Sequence, residues 1–517
     1  MPEQNRTENH TQVLIAGGGP AGTTAATLLA RQGFEVALME RDRFPRYHIG
    51  ESLLPSLLPI LDLMDARHAV ERHGFVRKTG AFYGWSGQEW SLGFDEPGRP
   101  ATYSFQVIRA QFDHLLLRHA REQGVDVREE TSVKEVALPA GRATAAAWVA
   151  RDGRRGETAF DHFVDASGRA GILSARQLRT RTFHDAFRNV ATWGYWRGTD
   201  RLEQAPEGAI GVFSLPEHGW FWAIPLHDGT LSVGLVTDKR SFQRAKERLK
   251  TIDAVYHAAL GDCPLLGRML ARGRLASPLK VESDYSYVSR EFCGDGYYLV
   301  GDAACFLDPL LSTGVHLGMY SGLLCAAAIG SVLRGEVDEA AAQRFYRTAY
   351  RHAYERLLIL VSAFYRIHDG RDAYFRKAQS LSHRDQTGLR LHESFLDIVT
   401  GVEDLRDVRE DAVDILHEKL RQPLDGHPTR GLGGHGTSHM LPLPTTAQHA
   451  QAGFYLALEP RPLRVIGRQS RRLRDAPARV RLTAGRRSQL GTDPPRPDPI
   501  TESEARQRTG RSPRPDR

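Results

Sequence analysis

Only four cysteines occur in the 517 residues, Cys263, Cys293, Cys305 and Cys325, and no two form a CxxC pair. That scarcity argues against a disulfide-stapled secreted fold and against a cysteine-held metal, and a reduced, cytoplasmic protein is expected. Long apolar runs are also missing. LLCAAAIGSVL from Leu323 and LLILVSAFY from Leu357 fall short of the ~20 residues that span a bilayer. They read as buried helix faces, so no stable membrane insertion is expected. The first strand-like run begins at Val13, which is read as leaving no room for a signal peptide. No HExxH is present. His435 and His439 have HxxxH spacing, but they sit in GGHGTSH, where glycines oppose a helix and no carboxylate or cysteine stands near, so no metal is expected. The body of the chain lacks a charge excess. The net +7 comes from Arg461–Arg517, where sixteen arginines against six acids give +10 and leave −3 elsewhere. No nucleic-acid partner is therefore expected. The tail, 471–517, reads as a disordered basic extension, poor in aromatics and rich in Arg, Pro, Ser and Gly.

What is present is ordinary globular composition, 41% hydrophobic and 25% charged, and one strongly structured beginning. Val13–Ala16 is a short buried-strand run, followed by Gly17-Gly18-Gly19-Pro20-Ala21-Gly22 and a helical TTAATLLARQG. A second strand runs from Glu35 to Glu40. In this β-turn-α-β pattern Gly17 permits the tight turn, Gly19 lets a pyrophosphate approach the backbone, and Gly22 lets helix and strand pack closely. Pro20 and Ala21 open the helix, and Glu40, followed by Arg41, ends the second strand where a carboxylate can accept ribose hydroxyls. Two later stretches read as strands ending in polar turns: Phe163–Arg169, holding Asp165, and Tyr297–Ala304, holding Gly301 and Asp302. A second strand-to-helix junction so far along the chain points to a nucleotide domain interrupted by an inserted sheet.

The GxGxxG with Glu40, the IRAQFD stretch with Arg109, the DASGR turn and the GDA strand resemble the FAD-dependent monooxygenases of para-hydroxybenzoate hydroxylase type. The resemblance implies that Asp302 binds the ribityl chain, that Arg109 lies along FAD, and that the FPRYHIGES loop brings Gly50 and Ser52 to the flavin through their backbone. Three further motifs are similar to the flavin-dependent halogenases. WFWAIP carries Trp220, Trp222, Ile224 and Pro225; FVRKTGAF carries Lys78; DPLLSTGV carries Ser312, Thr313 and Gly314. On a strand Trp220 and Trp222 share one face, and the resemblance implies that this face walls the flavin off from the substrate. It implies also that reduced FAD (FADH2) meets O2 to give a C4a-hydroperoxide, that chloride or bromide attacks it, and that hypohalous acid reaches Lys78, the catalytic lysine. Backbone amides at Thr313 and Gly314 suit a halide.

The tryptophan-specific branch has a glutamate just before its Ser-Thr-Gly run; here Leu311 stands there, which resembles the branch acting on phenols and pyrroles, often tethered to a carrier protein. With no second GxGxxG for a nicotinamide, a separate NAD(P)H flavin reductase is implied. The expected architecture is α/β: a GxGxxG FAD-binding Rossmann-like domain (10–180 and 290–335), an inserted substrate-side sheet (55–105 and 181–289), a helical C-terminal region (336–422) and a linker (423–448). An aromatic hydroxylase, a geranylgeranyl-reductase-like enzyme and a non-catalytic flavoprotein are the rival readings.

Overall fold

The computed structural model describes residues 9–94, 102–202, 204–216, 219–366, 391–410, 454–457 and 463–467. The segments expected as linker and basic tail, with His435 and His439, lie outside these.

Two sheets organise the described residues. In the nucleotide sheet, strand Asn9–Ala16 runs parallel to Val36–Met39 on one side and to Arg155–Asp165 on the other, and Tyr297–Leu299 continues beyond the latter. Asp126–Arg128 adds a parallel strand at the far edge. Val13, Leu14 and Ile15 are fully buried, as an unbroken apolar run in a sheet covered on both faces should be. Helix Pro20–Ala30 starts with proline at its first turn, where a missing N–H costs nothing.

The second sheet has the strand order Cys305–Phe306, Lys280–Ser289, Arg181–Arg197, Leu231–Asp238, Gly219–Pro225, Ile210–Ser214, Gly80–Trp85, Gln88–Gly93. Its ladders are antiparallel except where Ile210–Ser214 meets Gly80–Trp85. Cys305–Phe306 edges this sheet, although it falls within 290–335, the stretch assigned above to the nucleotide domain.

Helix Thr313–Leu333 packs on Pro20–Ala30 and is buried along nearly its whole length. It corrects the reading of Leu323 onward as a short run. At 21 residues it is long and apolar enough to cross a membrane by length and composition, yet 94% of its apolar window is buried inside the fold. The regular helix conceals that length in sequence because Gly, Ser and His interrupt its apolar residues.

Helix Glu339–Arg366 presents Tyr346, Tyr350 and Tyr354 to the core. Tyr346 donates to the Leu299 carbonyl (2.6 Å) and Tyr350 to that of Gly301 (3.3 Å), so this aromatic stripe backs the nucleotide sheet. The short helices Leu391–Val399 and Val402–Glu410 are tied in by a buried line. Ser56 Oγ meets His316 Nδ1 at 2.8 Å, and His316 Nε2 meets Asp404 at 2.8 Å. Arg356 pairs with both Asp404 and Asp407. The order Ser–His–Asp is that of a nucleophilic triad, but Ser56 and His316 are 0% exposed and Asp404 3%, which closes it to any substrate. It is a tie between segments.

Candidate active site

A cleft of about 530 Å³ opens where the two sheets meet. At one end strand Asn9–Ala16 turns at Gly17, whose φ of 116° and whose crowding against the Ala166 carbonyl admit no side chain. Gly17, Gly19, Pro20 and Ala21 line the cleft. Gly22 does not. A Cβ there would overlap the Gly17 carbonyl, so its task is close helix–strand packing. Gly19 caps the helix without any side-chain acceptor, leaving first-turn N–H groups for a ligand anion. Glu40 is 4% exposed and lines the cleft; its carboxylate accepts from the amides of Gly18 (2.6 Å) and Asp42 (2.8 Å). Arg41 lies at the exposed margin, beside Asp42 (3.3 Å). Gly301 and Asp302 line the cleft from another strand end, and burial pushes the Asp302 carboxyl upward.

Asp165, which the resemblance of the DASGR turn counts among the FAD-binding residues, does not line the cleft. It is fully buried, with its oxygens taken by the amides of Ser167 (3.1 Å) and Leu173 (2.8 Å). It builds the turn and leaves the lining to Ala166–Ala170. Together, the open helix N-terminus, the side-chain-free turn and the buried strand-end acid fit the diphosphate and ribose of FAD.

Residues 46–52 cross the cleft and are clamped from beneath. Arg109, 5% exposed, makes a bidentate pair with Asp113 (2.8 and 3.0 Å) and donates to the carbonyls of Ile49 (2.8 Å) and Gly50 (3.2 Å). Arg46 joins the same Asp113 at 3.1 Å. Gly50 and Ser52 line the cleft, as does Arg109. Glu51, which sequence reasoning passed over, lines it too. Its Oε1 accepts from Tyr195 Oη at 2.8 Å, Tyr195 meets Tyr47 at 3.0 Å, and Trp193 donates to Tyr47 at 2.7 Å. Burial pushes the Glu51 carboxyl up to about 7; Ser232 is near enough to oppose this, though outside hydrogen-bond geometry to Oε2. The available signal was position: a carboxylate between Gly50 and Ser52 in a loop already assigned to the flavin.

Trp220 and Trp222 do share a face, with ring centroids 6.1 Å apart, and both line the cleft with Ile224. Trp193 extends the surface, 6.2 Å from Trp222. Trp220 is 1% and Trp222 4% exposed, and both belong to the main apolar core. Core and cleft wall are thus the same surface. Pro225 lies outside the cleft lining, at the strand end opposite Leu231, where it begins a hairpin.

Beyond the wall, Pro309–Leu311 turns into helix Thr313–Leu333 through Ser312, whose φ is 59°. The Ser312 amide is spent on the Pro309 carbonyl (3.0 Å). Thr313 and Gly314 open the helix, where amides have no intrahelical acceptor, and all three residues line the cleft. Thr313 Oγ1 is buried without a hydrogen-bond partner.

Lys78 stands behind this lining. It ends strand Val76–Lys78 opposite Ser104 and is 2% exposed. Nζ donates to Ser52 Oγ (2.9 Å) and to the Leu53 carbonyl (3.0 Å), with the Phe94 ring centroid 5.6 Å away. It has no carboxylate partner among the described residues, and burial lowers its ammonium to about 7. Ser52 is the one residue that both lines the cleft and accepts from Lys78 among those hydrogen bonds.

The chain matches the tryptophan halogenase family over residues 12–100 and 93–405. It is 45% identical over 406 residues to a tryptophan 2-halogenase of Chondromyces crocatus, covering 77% of each chain. It is 39% identical to the flavin-dependent halogenase gsfI of Penicillium aethiopicum, over 68% of this chain and 70% of that one. Among solved structures, the myxobacterial chondrochloren halogenase CndH, an FAD-dependent enzyme, superposes with a TM-score of 0.65 at 32% identity, over 80% of this chain and 97% of the other. Likeness of that extent, on a cleft whose turn and strand-end acid fit FAD, is family membership, and the chain belongs to the tryptophan halogenases as an enzyme, a flavin-dependent halogenase.

Proposed function

We propose that the enzyme places chloride or bromide on an electron-rich phenol or pyrrole ring, free or held on a carrier protein, in natural-product biosynthesis. Bound FAD, reduced by a separate NAD(P)H flavin reductase, supplies the O2 activation that turns halide into hypohalous acid. Gly17, Gly19, Pro20, Ala21 and Glu40 hold its nucleotide end; Gly50, Ser52, Arg109, Gly301 and Asp302 hold the remainder. The Thr313 and Gly314 amides bind the halide at a positive helix end. Trp220, Trp222 and Ile224 keep the organic ring from the flavin. Lys78 receives the oxidised halogen, orienting it by hydrogen bonding or carrying it on nitrogen.

The observation that carries this reading is the Lys78–Ser52 contact at 2.9 Å, which sets a buried ammonium with no carboxylate partner among the described residues one side chain away from the cleft. With an ammonium near 7, a large fraction of Lys78 is a neutral amine at neutral pH, able to take up halogen. Leu311, 4% exposed, offers no acid to assist it, which supports a ring already activated by its own substituents. Tryptophan is a second reading, favoured by the 45% identity to a tryptophan 2-halogenase. Position 2 of indole lies in its pyrrole ring, so the two readings share one chemistry.

The test combines the protein, FAD, a flavin reductase, NADH, O2 and bromide with phenols, pyrroles and tryptophan, free and carrier-bound, followed by mass spectrometry. A bromide-dependent product with the bromine isotope doublet supports the proposal and names the ring. A one-oxygen gain indifferent to bromide would assign the chain to hydroxylation, and flavin binding without product to a non-catalytic role.

A further inference from the structure

One cleft-lining carboxylate has no part in the reading above. Asp308 is 3% exposed and lies just ahead of the Pro309–Leu311 turn. Its Oδ1 accepts from the Leu310 amide at 2.9 Å. Its Oδ2 accepts from Tyr365 Oη at 3.0 Å and from Asn189 Nδ2 at 3.1 Å. Tyr365 Oη accepts in turn from Trp220 Nε1 at 2.8 Å. Three hydrogen bonds therefore lead from the turn before Thr313, through Tyr365 of helix Glu339–Arg366, to the indole of Trp220 in strand Gly219–Pro225.

We propose that Asp308 is a positioning residue, fixing the tryptophan wall and the halide-binding turn in one geometry. The proposal rests on the reading of Thr313–Gly314 as the halide site and Trp220 as the wall. A buried carboxylate is expensive, and no ion pair compensates Asp308 among the described residues. Mere packing would be met more cheaply by an apolar residue. What a carboxylate offers here is acceptors only: three donors, from Leu310, Tyr365 and Asn189, converge on its two oxygens. An amide would turn an NH2 toward one set of them. The direction of donation is also fixed, indole to phenol to carboxylate, so the position of Trp220 depends on what Asp308 accepts.

The experiment uses full-length protein with FAD, a flavin reductase, NADH, O2 and the preferred aromatic substrate. Bromide KM, kcat and peroxide released per brominated product are measured for wild type, Asp308→Asn, Tyr365→Phe and the double variant. Tyr365→Phe removes one oxygen and keeps the ring in place. It is expected to release more peroxide per product, about threefold, with bromide KM unchanged. Asp308→Asn is expected to raise bromide KM about tenfold and to leak equally. The double variant should leak no more than Asp308→Asn, because both changes cut one line. A general loss of structure would lower kcat alone, in proportion to folded protein. Bromide-dependent wild type, with bromide KM of Asp308→Asn within twofold of it and no added leakage from Tyr365→Phe, would overturn the role of Asp308. Wild-type product that ignores bromide would overturn the site reading itself, and the proposal with it.

Discussion

Gly234 lies directly opposite Trp222 in the antiparallel ladder, and the six-membered ring of the Trp222 indole occupies the space a Cβ would need there. The wall is therefore seated in a recess made by a missing side chain. Gly234→Ala is expected to push the indole toward the cleft and to weaken FAD binding about tenfold, as read by flavin fluorescence titration. Gly234→Ala with Trp222→Phe should regain most of the affinity, because the smaller ring accommodates the new methyl. No recovery in the double variant would show that the alanine acts on the strand and not on the ring.

Replacing Trp220 and Trp222 together by alanine is expected to leave no folded protein. Both belong to the main core, and truncating a buried tryptophan costs ~3–5 kcal/mol. The cleft wall and the apolar core are one surface here, so this variant cannot separate a role in the wall from a role in packing. Trp222→Phe is the informative change. It should keep the thermal transition within a few degrees and increase peroxide release without halogenated product, measured side by side.

Lys78→Ala should retain FAD and lose halogenation, by mass spectrometry of the product. Lys78 and Glu51 also shape stability against pH. The ammonium is lowered from 10.5 to about 7, so between these values the unfolded chain binds more protons and stability rises with pH. The Glu51 carboxyl is raised from 4.5 to about 7, so across that window the native chain binds more protons and stability falls as pH rises. The two together place a shallow minimum near neutrality. Lys78→Met should flatten the alkaline limb and Glu51→Gln the acid limb, as followed by Tm from pH 5 to 10.

Arg109→Ala is expected to free the 46–52 loop and to leave buried Asp113 with Arg46 alone. Removing one partner of a buried pair costs ~3–5 kcal/mol, so a marked fall in Tm should accompany a loss of FAD affinity. Arg109→Lys should recover part of the stability but little of the affinity, since three ammonium donors cannot replace the bidentate pair with Asp113 together with both carbonyl bonds.

Consecutive residues carried the legible part of this molecule. The turn from Gly17 to Gly22, the acid at Glu40 and the strand WFWAIP are local patterns, and Gly17, Glu40, Trp220 and Trp222 line one cleft. Lys78 was legible as a position, but its burial against Ser52 depends on a segment 26 residues away. A motif gives a residue's place on a strand and not the direction of its side chain, and Asp165 and Pro225 fall outside the cleft lining. Asp165 turns back to Ser167 and Leu173, and Pro225 begins a hairpin. Asp308 and Tyr365 had no sequence signal as partners of Trp220, because the contacts join segments 57 and 145 residues apart.

The Asp113 carboxylate is shared by Arg46 and Arg109, with no exposed surface of its own. In hereditary terms those three positions form a single character. Loss of the acid strands buried Arg109 and half-buried Arg46, and loss of either arginine unbalances the acid, so the three are expected to change only together. Substitutions elsewhere in the cleft leave this fastening of the 46–52 loop untouched, whereas a change within the set loosens it.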